Sequence, residues 1–313
     1  MVDDPSGRLK KPEWLKIPLP EKGSVDLVRG SLKKFSVRTV CEAAACPNSR
    51  ECFHKGTAAF MIMGSYCTRK CNFCNVQFGR PDALDPEEPR HLAETAKELN
   101  LKHLVVTSVT RDDLPDGGAH HFAEVVRQVN ALVDPAPAVE LLIPDMQGDW
   151  DALQIILDAG PEVLNHNVET VPRLYSTVRP QAIYERSLEL LKQVKLRAPG
   201  MVTKSGFMLG LGETEEEIFQ LMDDLRAVGC DCLTIGQYLR PSLKHLPVVE
   251  YVHPDVFERY RLIGLEKGFQ SVASGPFVRS SYMAADFYEE TLAAKVKQKS
   301  AGREALDTKT VRG

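Results

Sequence analysis

The chain has 313 residues, with 39 Lys or Arg against 43 Asp or Glu, so its formal net charge is −4. Hydrophobic residues make up 43% of it and charged residues 26%, which excludes a disordered or collagen-like chain. The mild acidity argues against a nucleic-acid binder, and the lack of an apolar run near ~18 residues argues against a membrane span. Because the acidic start of the chain is unlike a signal peptide, we expect a cytoplasmic protein.

The chain begins with about thirty residues that carry four prolines and are expected to be extended or mobile. Next comes a first group of cysteines, Cys41, Cys46 and Cys52, with the spacing C-x4-C-x5-C. In a reducing compartment, cysteines tend to be metal ligands, nucleophiles or small buried residues rather than disulfides. Because a second cysteine group follows after only 15 residues, a metal site is favoured here over buried apolar residues.

The second group, Cys67, Cys71 and Cys74, directly follows a predicted strand over 58–63 and has the spacing C-x3-C-x2-C. Three thiolates on one short loop can hold three irons of a [4Fe–4S] cluster, which leaves the fourth iron open to a substrate or cofactor. This spacing, with Phe73 before the last cysteine, is that of the radical S-adenosylmethionine (SAM) superfamily. The alternatives are a zinc knuckle, which lacks a fourth ligand at a matching spacing, and a redox pair at Cys71 and Cys74.

The rest of the chain alternates short apolar runs with amphipathic ones, a pattern typical of parallel strands joined by helices. The predicted strands are 58–63, 103–109, 139–143, 163–168, 204–209 and 232–238. The predicted helices are 89–100, 119–132, 149–159, 183–196, 215–228 and 254–267. This pattern predicts an α/β fold with six strand–helix units, and by itself it leaves both a barrel and a doubly wound sheet open.

Polar side chains follow several of these strands, at 107–113, 165–169 and 210–213. The carboxyl ends of parallel strands are where α/β barrels place their chemistry, so we expect the functional site there. The remaining cysteines, Cys230 and Cys232, lie in an apolar context, and we expect them to be core residues on one face of a strand.

Longer motifs together resemble the lipoyl synthase family over nearly the whole chain. They are both cysteine motifs in the family's order and the segments 11–16, 111–118, 165–170, 173–179, 204–214, 236–246 and 275–282. Val168 stands where leucine is more usual, a departure that touches no chemical group.

The resemblance implies a partial (β/α)6 barrel of the TIM type, with N-terminal and C-terminal extensions over its mouth. It divides the chain into 1–56 with the auxiliary cysteines, 57–275 as the barrel, and 276–313 with a serine ligand and a mobile tail. Residues 11–19 and the auxiliary cysteines are expected to cover the mouth and keep water out of the cavity.

Two [4Fe–4S] clusters and SAM are the cofactors that the resemblance implies. The cluster on Cys67, Cys71 and Cys74 would bind SAM and reduce it to a 5′-deoxyadenosyl radical, which removes hydrogen from C6 and C8 of a protein-bound octanoyl-lysyl group. The auxiliary cluster on Cys41, Cys46 and Cys52 would donate the two sulfur atoms and be consumed. Its fourth ligand would be Ser281, with Ser280 as the alternative, and a serine oxygen suits a ligand that must be released.

The same resemblance implies residues that contact SAM. They are Gly117, Gly118, Asn167, Glu169, Arg179, Gly210 and Glu213. The alternative for the glycine pair is a turn, and for Asn167, Glu169 and Arg179 it is a structural hydrogen bond. Arg240 and Arg279 are expected to shape the entrance or gate the serine.

The implied partners are octanoylated carriers, namely the lipoyl domains of 2-oxoacid dehydrogenases and the glycine cleavage H protein. A flavodoxin or ferredoxin would donate electrons, and an iron–sulfur cluster carrier would rebuild the auxiliary cluster. Two other hypotheses stay open at this point: a radical methylthiotransferase, which the net charge of −4 disfavours because such enzymes contact RNA, and a zinc-stabilised interaction protein.

Overall fold

The fold comes from a computed structural model, which describes residues 9–16, 24–43, 46, 48, 51, 52 and 59–294. The expected mobile tail from residue 295, and residues 17–19 of the segment expected to cover the mouth, lie outside these ranges. The strands are β1 (Arg38–Thr39), β2 (Ala59–Ile62), β3 (Tyr66–Cys67), β4 (Gln77–Phe78), β5 (His103–Ser108), β6 (Ala138–Leu142), β7 (Val163–Asn165), β8 (Val202–Leu209), β9 (Cys232–Gln237) and β10 (Ser271–Gly275).

From β5 to β10, each strand of the main sheet is separated from the next by at least one α-helix. The α-helices are α1 (Ser24–Lys34), α2 (Val40–Ala43), α3 (Glu88–Glu98), α4 (Ala119–Leu132), α5 (Trp150–Asp158), α6 (Tyr175–Val178), α7 (Tyr184–Arg197), α8 (Glu215–Ala227), α9 (Pro254–Glu266) and α10 (284–294). Short 3-10 turns lie at Glu13–Leu15, Met146–Gly148 and Pro172–Leu174. Within the described ranges, no helix is both long and apolar enough to cross a bilayer.

The main sheet has the order β1-β2-β5-β6-β7-β8-β9-β10, and every pair except β1–β2 is parallel. All six predicted strands are confirmed, because their continuous Val, Ile, Leu and Met runs are buried on both faces. The sequence pattern missed the two edge strands, since β1 has two residues and β10 reads Ser-Val-Ala-Ser-Gly. The sheet is therefore a partial barrel flanked by helices, as the resemblance implied.

The C-terminal helix α10 packs against the inner surface of this barrel. Phe287 joins Val163, Val202 and Cys232 in one buried cluster, and the Thr291 hydroxyl lies 2.7 Å from that of Ser271. These partners all stand near the amino ends of their strands. The C-terminal helix thus fills the amino end of the barrel, which leaves the carboxyl end of the strands for the site.

Two details of the sequence prediction were wrong. Residues 24–30 form the start of helix α1, so the expectation of an extended or mobile chain over the first thirty residues does not hold there. Cys230 precedes strand β9 instead of sharing it with Cys232. Both thiols are nevertheless fully buried, which confirms their place in the core, and burial raises the pKa of Cys230 well above its usual range.

Candidate functional site

The loop that carries Cys67, Cys71 and Cys74 leaves the end of β2 and is framed by the small sheet of β3 and β4. The Cys67 Sγ accepts hydrogen bonds from the backbone N–H groups of Thr110 at 3.3 Å and Arg69 at 3.4 Å. The Cys74 Sγ accepts one from the N–H of Val76 at 3.5 Å. Because N–H donors favour the charged form of an acceptor, this loop is prepared to hold thiolates.

The tip of the same loop is fastened to two neighbouring segments. The Asn72 N–H donates to the Val178 carbonyl at 2.9 Å, and the Asn72 side-chain amide donates to the Thr177 carbonyl at 2.7 Å. The Leu246 N–H donates back to the Asn72 carbonyl at 3.2 Å, and a ring nitrogen of His245 lies 3.1 Å from the Cys74 carbonyl. The cysteine loop is thereby held to the segments that follow β7 and β9.

A buried ion network, which sequence reasoning missed, anchors the base of the loop. The Arg69 guanidinium donates to both carboxylate oxygens of Asp112 at 2.7 and 2.8 Å, and to Asp145 at 2.7 Å. Asp145 is completely buried, and although burial alone would raise its pKa, Arg69 holds that pKa down at about 2. In the sequence, Arg69 could be noticed by its position inside the cysteine motif. Its partners could not be identified, because they lie 43 and 76 residues away.

The two later thiols of this loop are half-buried. Burial raises the pKa of Cys71 to about 11, against the lowering effect of Arg179, and raises the pKa of Cys74 to about 12. Without a metal, these thiols stay protonated at neutral pH. A bound iron–sulfur cluster would reverse that preference, because thiolates are its ligands and metal binding displaces their protons.

Three predicted SAM contacts lie together beside this loop. The Asn167 side-chain amide donates to Glu169 at 3.2 Å, and the Arg179 guanidinium donates to the Asn167 carbonyl at 2.8 Å. Burial raises the pKa of Glu169, while Arg179 and Asn167 oppose that rise. The side-chain oxygen of Asn167 and the Nε of Arg179 are buried without a hydrogen-bond partner. These two orphaned groups, one acceptor and one donor, fit a bound polar molecule such as SAM.

The predicted glycine pair is explained by its turn. Gly117 has φ +59° and Gly118 has φ +91°, and a Cβ on Gly118 would overlap the sulfur of Met63. Gly118 is also the N-cap of α4, where the Asp116 carboxylate accepts its N–H at 3.0 Å. Gly117 lines a cavity of about 230 Å³. The turn requirement is therefore present, and contact with SAM stays a prediction.

The other two predicted contacts serve their own loop. Glu213 accepts the N–H groups of Gly210 and of Leu211, the latter at 2.9 Å, so both carboxylate oxygens are occupied. Gly210 has φ +95°, and a Cβ there would overlap the Gln237 side chain. The structure brings neither residue into the cluster of Asn167, Glu169 and Arg179.

The auxiliary cysteines lie on the N-terminal segment. The Cys46 N–H donates to the Cys41 carbonyl at 2.9 Å, and the Cys52 N–H donates to the Asn48 carbonyl at 2.9 Å. Cys41 is buried, which raises its pKa to about 11. This N-terminal segment also contacts the loop of Cys67, Cys71 and Cys74, because the Asn75 side-chain amide donates to the Ala43 carbonyl at 3.0 Å.

The segment with Ser280 and Ser281 packs against these auxiliary cysteines. The Asn48 amide donates to the Phe277 carbonyl, and the half-buried Arg279 is close enough to Cys46 for their charges to interact. Ser280 accepts a 2.6 Å bond from Asn167, whereas the Ser281 hydroxyl has no hydrogen-bond partner in the described part of the chain.

The two predicted gating arginines have different environments. Arg279 is mostly bound to the carbonyls of its own segment, with its Nη1 2.6 Å from the Val278 carbonyl. Arg240 donates to the carbonyls of Leu243 and His245 at 2.7 and 2.9 Å, and so shapes the loop that touches Cys74. Only Arg279 lies beside the serine segment.

A single-ion site is not formed. Among the described residues, no three or more His, Cys, Asp or Glu side chains converge closely enough to hold one metal ion. All eight cysteines are free thiols. A tetrahedral zinc ion needs its ligands around one point, whereas a cubane cluster takes each thiolate on a different iron. What favours a cluster over zinc is the sequence, with three cysteines on one short loop and no fourth cysteine close after them.

Comparison with known proteins identifies the family. Residues 61–225 match the family model of the Radical SAM superfamily. The lipoyl synthase of Alkaliphilus metalliredigens is 55% identical over 281 residues, which cover 90% of this chain and 97% of that protein. The chain belongs to the lipoyl synthase family. The lipoyl synthase of Caldanaerobacter subterraneus is 56% identical, over 88% of this chain and 96% of that protein.

Solved structures support the fold of this lipoyl synthase family member. Methylornithine synthase superposes with a TM-score of 0.52 at 16% identity, over 78% of this chain and 70% of that one. Streptococcus suis SuiB bound to S-adenosylmethionine superposes with a TM-score of 0.53 at 12% identity, over 72% and 53%. At these identities the likeness shows the partial barrel alone.

Proposed function

We propose that this chain makes the lipoyl group, by inserting two sulfur atoms at C6 and C8 of a protein-bound octanoyl-lysyl group. When bound, one [4Fe–4S] cluster would supply the electron that cleaves SAM, and a second cluster would supply the sulfur. Cys67, Cys71 and Cys74 would hold the former, and Cys41, Cys46, Cys52 and Ser281 the latter.

The observation that carries this proposal is one side chain that touches both sites. Asn167 donates to Glu169, whose charge acts on Cys71, and to Ser280, which adjoins the proposed ligand Ser281. A reaction that generates a radical at one site and uses it at the other requires the two to share one cavity. The contact of the auxiliary segment with Asn75 supports the same conclusion.

The chain's own residues have definite roles in this proposal. Arg179 and Asn167 present an unpaired donor and acceptor, which would bind and orient SAM. Arg69, held by two carboxylates, fixes the cysteine loop in position. The Trp14 ring packs edge-on against His253 at 6.0 Å, so the described part of the leading segment covers the loop that precedes α9 and helps to exclude water.

The proposal also covers partners, organisation and location. Octanoylated lipoyl domains and the glycine cleavage H protein would be the substrates, a flavodoxin or ferredoxin the electron donor, and an iron–sulfur cluster carrier the source of new clusters. We keep the division into 1–56, 57–275 and 276–313. A reducing, cytoplasmic compartment is part of the proposal, because eight free thiols with two cluster sites need one.

Anaerobic turnover tests the function directly. The reconstituted protein is incubated with an octanoyl-lysyl peptide, SAM and dithionite, and 5′-deoxyadenosine and the thiolated peptide are quantified. We expect both products, and we expect neither when SAM is left out. Deoxyadenosine without any sulfur-containing peptide would contradict the proposed substrate.

A further inference from the structure

The surface around the loop of Cys67, Cys71 and Cys74 has an unusual charge distribution. It is built from the segments 64–81, 172–183 and 236–249, which we call the triad face. Together these segments contain seven Lys or Arg and no Asp or Glu, although 43 of the chain's 313 residues are acidic. The chain as a whole is negative, so this positive region is local.

Hydrogen bonds show that the three segments form one surface. Asn72 is bonded to Thr177 and Val178 in the second segment, and accepts from Leu246 in the third. The Lys70 N–H also donates to the Gln181 side chain at 2.6 Å. The triad face is therefore continuous across the tip of the cysteine loop.

Part of the positive charge on this face is free to meet a partner. Arg69 is committed to Asp112 and Asp145, Arg173 is paired with Glu217, and Arg179 is buried. Lys70, Arg80 and Lys244 are exposed, and their charged groups have no ion-pair partner in the part of the chain that the structure describes. Unpaired surface cations attract a negatively charged partner and raise its association rate.

Apolar side chains accompany these cations. Phe78 is 58% exposed and Leu243 is 55% exposed. Phe78 is the Cα partner of Cys67 across the β3–β4 pair, and the Gly79 N–H donates to the Cys67 carbonyl at 3.1 Å. Exposed apolar groups ringed by charge are typical of a docking surface. The Phe78 backbone lies one strand spacing, about 4.8 Å, from the backbone of the proposed cluster ligand Cys67, so a partner on Phe78 would be separated from that ligand by a single residue.

We propose that the triad face is the docking surface for an acidic one-electron carrier protein. This inference rests on the proposed function. The carrier loses one electron and is thereby oxidised. The cluster that Cys67, Cys71 and Cys74 would hold, beneath the face, gains this electron and is reduced. The position favours an electron carrier over the octanoylated substrate, because electron transfer requires proximity to the cysteine loop, whereas the octanoyl chain must reach the segments that Asn167 connects.

The test uses a double charge reversal, Arg80→Glu with Lys244→Glu, which leaves Lys70 beside Cys71 intact. The matched control is Lys97→Glu with Lys102→Glu, two exposed lysines near the amino end of β5 with the same total change in charge. Binding of oxidised flavodoxin to the reconstituted enzyme is measured by biolayer interferometry at several salt concentrations. We expect the dissociation constant to rise about tenfold in the first variant and less than twofold in the control. The salt dependence should flatten in the first variant only.

Activity separates this inference from the proposed function. We expect dithionite-supported formation of 5′-deoxyadenosine to be equal in both variants and the wild type, while flavodoxin-supported formation shows a higher KM for flavodoxin in the first variant alone. An unchanged dissociation constant for flavodoxin would overturn the docking proposal. A raised KM for an octanoylated lipoyl domain, with flavodoxin binding unchanged, would assign the face to the substrate instead. If wild-type enzyme with dithionite forms no deoxyadenosine, the proposed function fails, and the binding measurement still stands on its own.

Discussion

Replacing Asp145 by Asn removes the buried negative charge that holds Arg69 at the base of the cysteine loop. Asp145 is completely buried, and its carboxylate accepts from Arg69 at 2.7 Å and from the Gln147 N–H at 3.1 Å. Arg186 approaches the second oxygen at 3.4 Å. The amide keeps the shape of the side chain but loses its charge, so the contribution of the charge is isolated.

Two independent routes give the size of the effect. The pKa of Asp145 falls from 3.8 to about 2, and at about 1.4 kcal/mol for each unit this is about 2–3 kcal/mol of folding free energy at neutral pH. Hydrogen bonds to charged groups contribute about 1.5–3 kcal/mol. Because Arg69 keeps its bidentate pair with Asp112, we expect a loss of about 2–3 kcal/mol instead of the larger loss that follows an isolated buried charge.

The pH dependence has a definite sign. A depressed pKa stabilises the folded state at pH above 3.8, and that stabilisation is lost as the pH falls toward 2. Asp145→Asn should therefore be weaker at neutral pH and should show a flatter pH dependence between pH 4 and pH 2. Urea titration of the anaerobic protein measures both. Asp158→Asn is the control, because Asp158 is exposed and, in the described part of the chain, accepts a side-chain bond from Gln154 alone. It should change the free energy of unfolding by less than about 0.5 kcal/mol. If Asp145→Asn loses no more than this control, the anchoring role of Asp145 is wrong.

Three further predictions concern the barrel and the auxiliary site. Gly118→Ala should lose about 2–3 kcal/mol of stability in urea titration, because its φ is positive and the added Cβ overlaps Met63. Gly160→Ala, with φ +76° and open space around the added Cβ, should lose only about 1–2 kcal/mol, and equal losses would contradict the packing argument. Lys204→Met should cost about 3–5 kcal/mol because it removes the ammonium group that neutralises the fully buried Glu140 and leaves Asn165 and His103 as its partners. Adding Glu140→Leu should restore most of this loss, and a double variant no better than the single one would contradict this account. Ser281→Ala should perturb the electron paramagnetic resonance spectrum of the auxiliary cluster more than Ser280→Ala does, and the reverse order would assign the ligand to Ser280.

The six barrel strands were predictable because each is an apolar run buried on both faces, and α8 begins at residue 215, as the amphipathic pattern predicted. There Thr214 and Glu217 form the reciprocal capping box expected of such a start. The edge strands β1 and β10 were not predictable, since they are short or built from small residues. Their pairing depends on a neighbouring strand that no local pattern reveals.

The cysteines of the site could be predicted because their spacing carries the chemistry. The ion network of Arg69, Asp112 and Asp145 could not, because its members are brought together only by the parallel arrangement of β5 and β6. The contact between Asn167 and Ser280 spans 113 residues and depends on the path of the C-terminal segment. The Glu213 carboxylate accepts two N–H groups of its own loop, an arrangement that the motif did not reveal, and its contact with SAM stays a prediction.

The central claim is that, within one cavity, Cys67, Cys71 and Cys74 support radical formation, whereas Cys41, Cys46 and Cys52 support sulfur insertion. A paired measurement on Cys46→Ala and Cys71→Ala tests it most directly, with 5′-deoxyadenosine and thiolated octanoyl-lysyl peptide quantified under identical anaerobic conditions with dithionite. We expect Cys46→Ala to form deoxyadenosine without any thiolated peptide, and Cys71→Ala to form neither. Thiolated peptide from Cys46→Ala would contradict the claim.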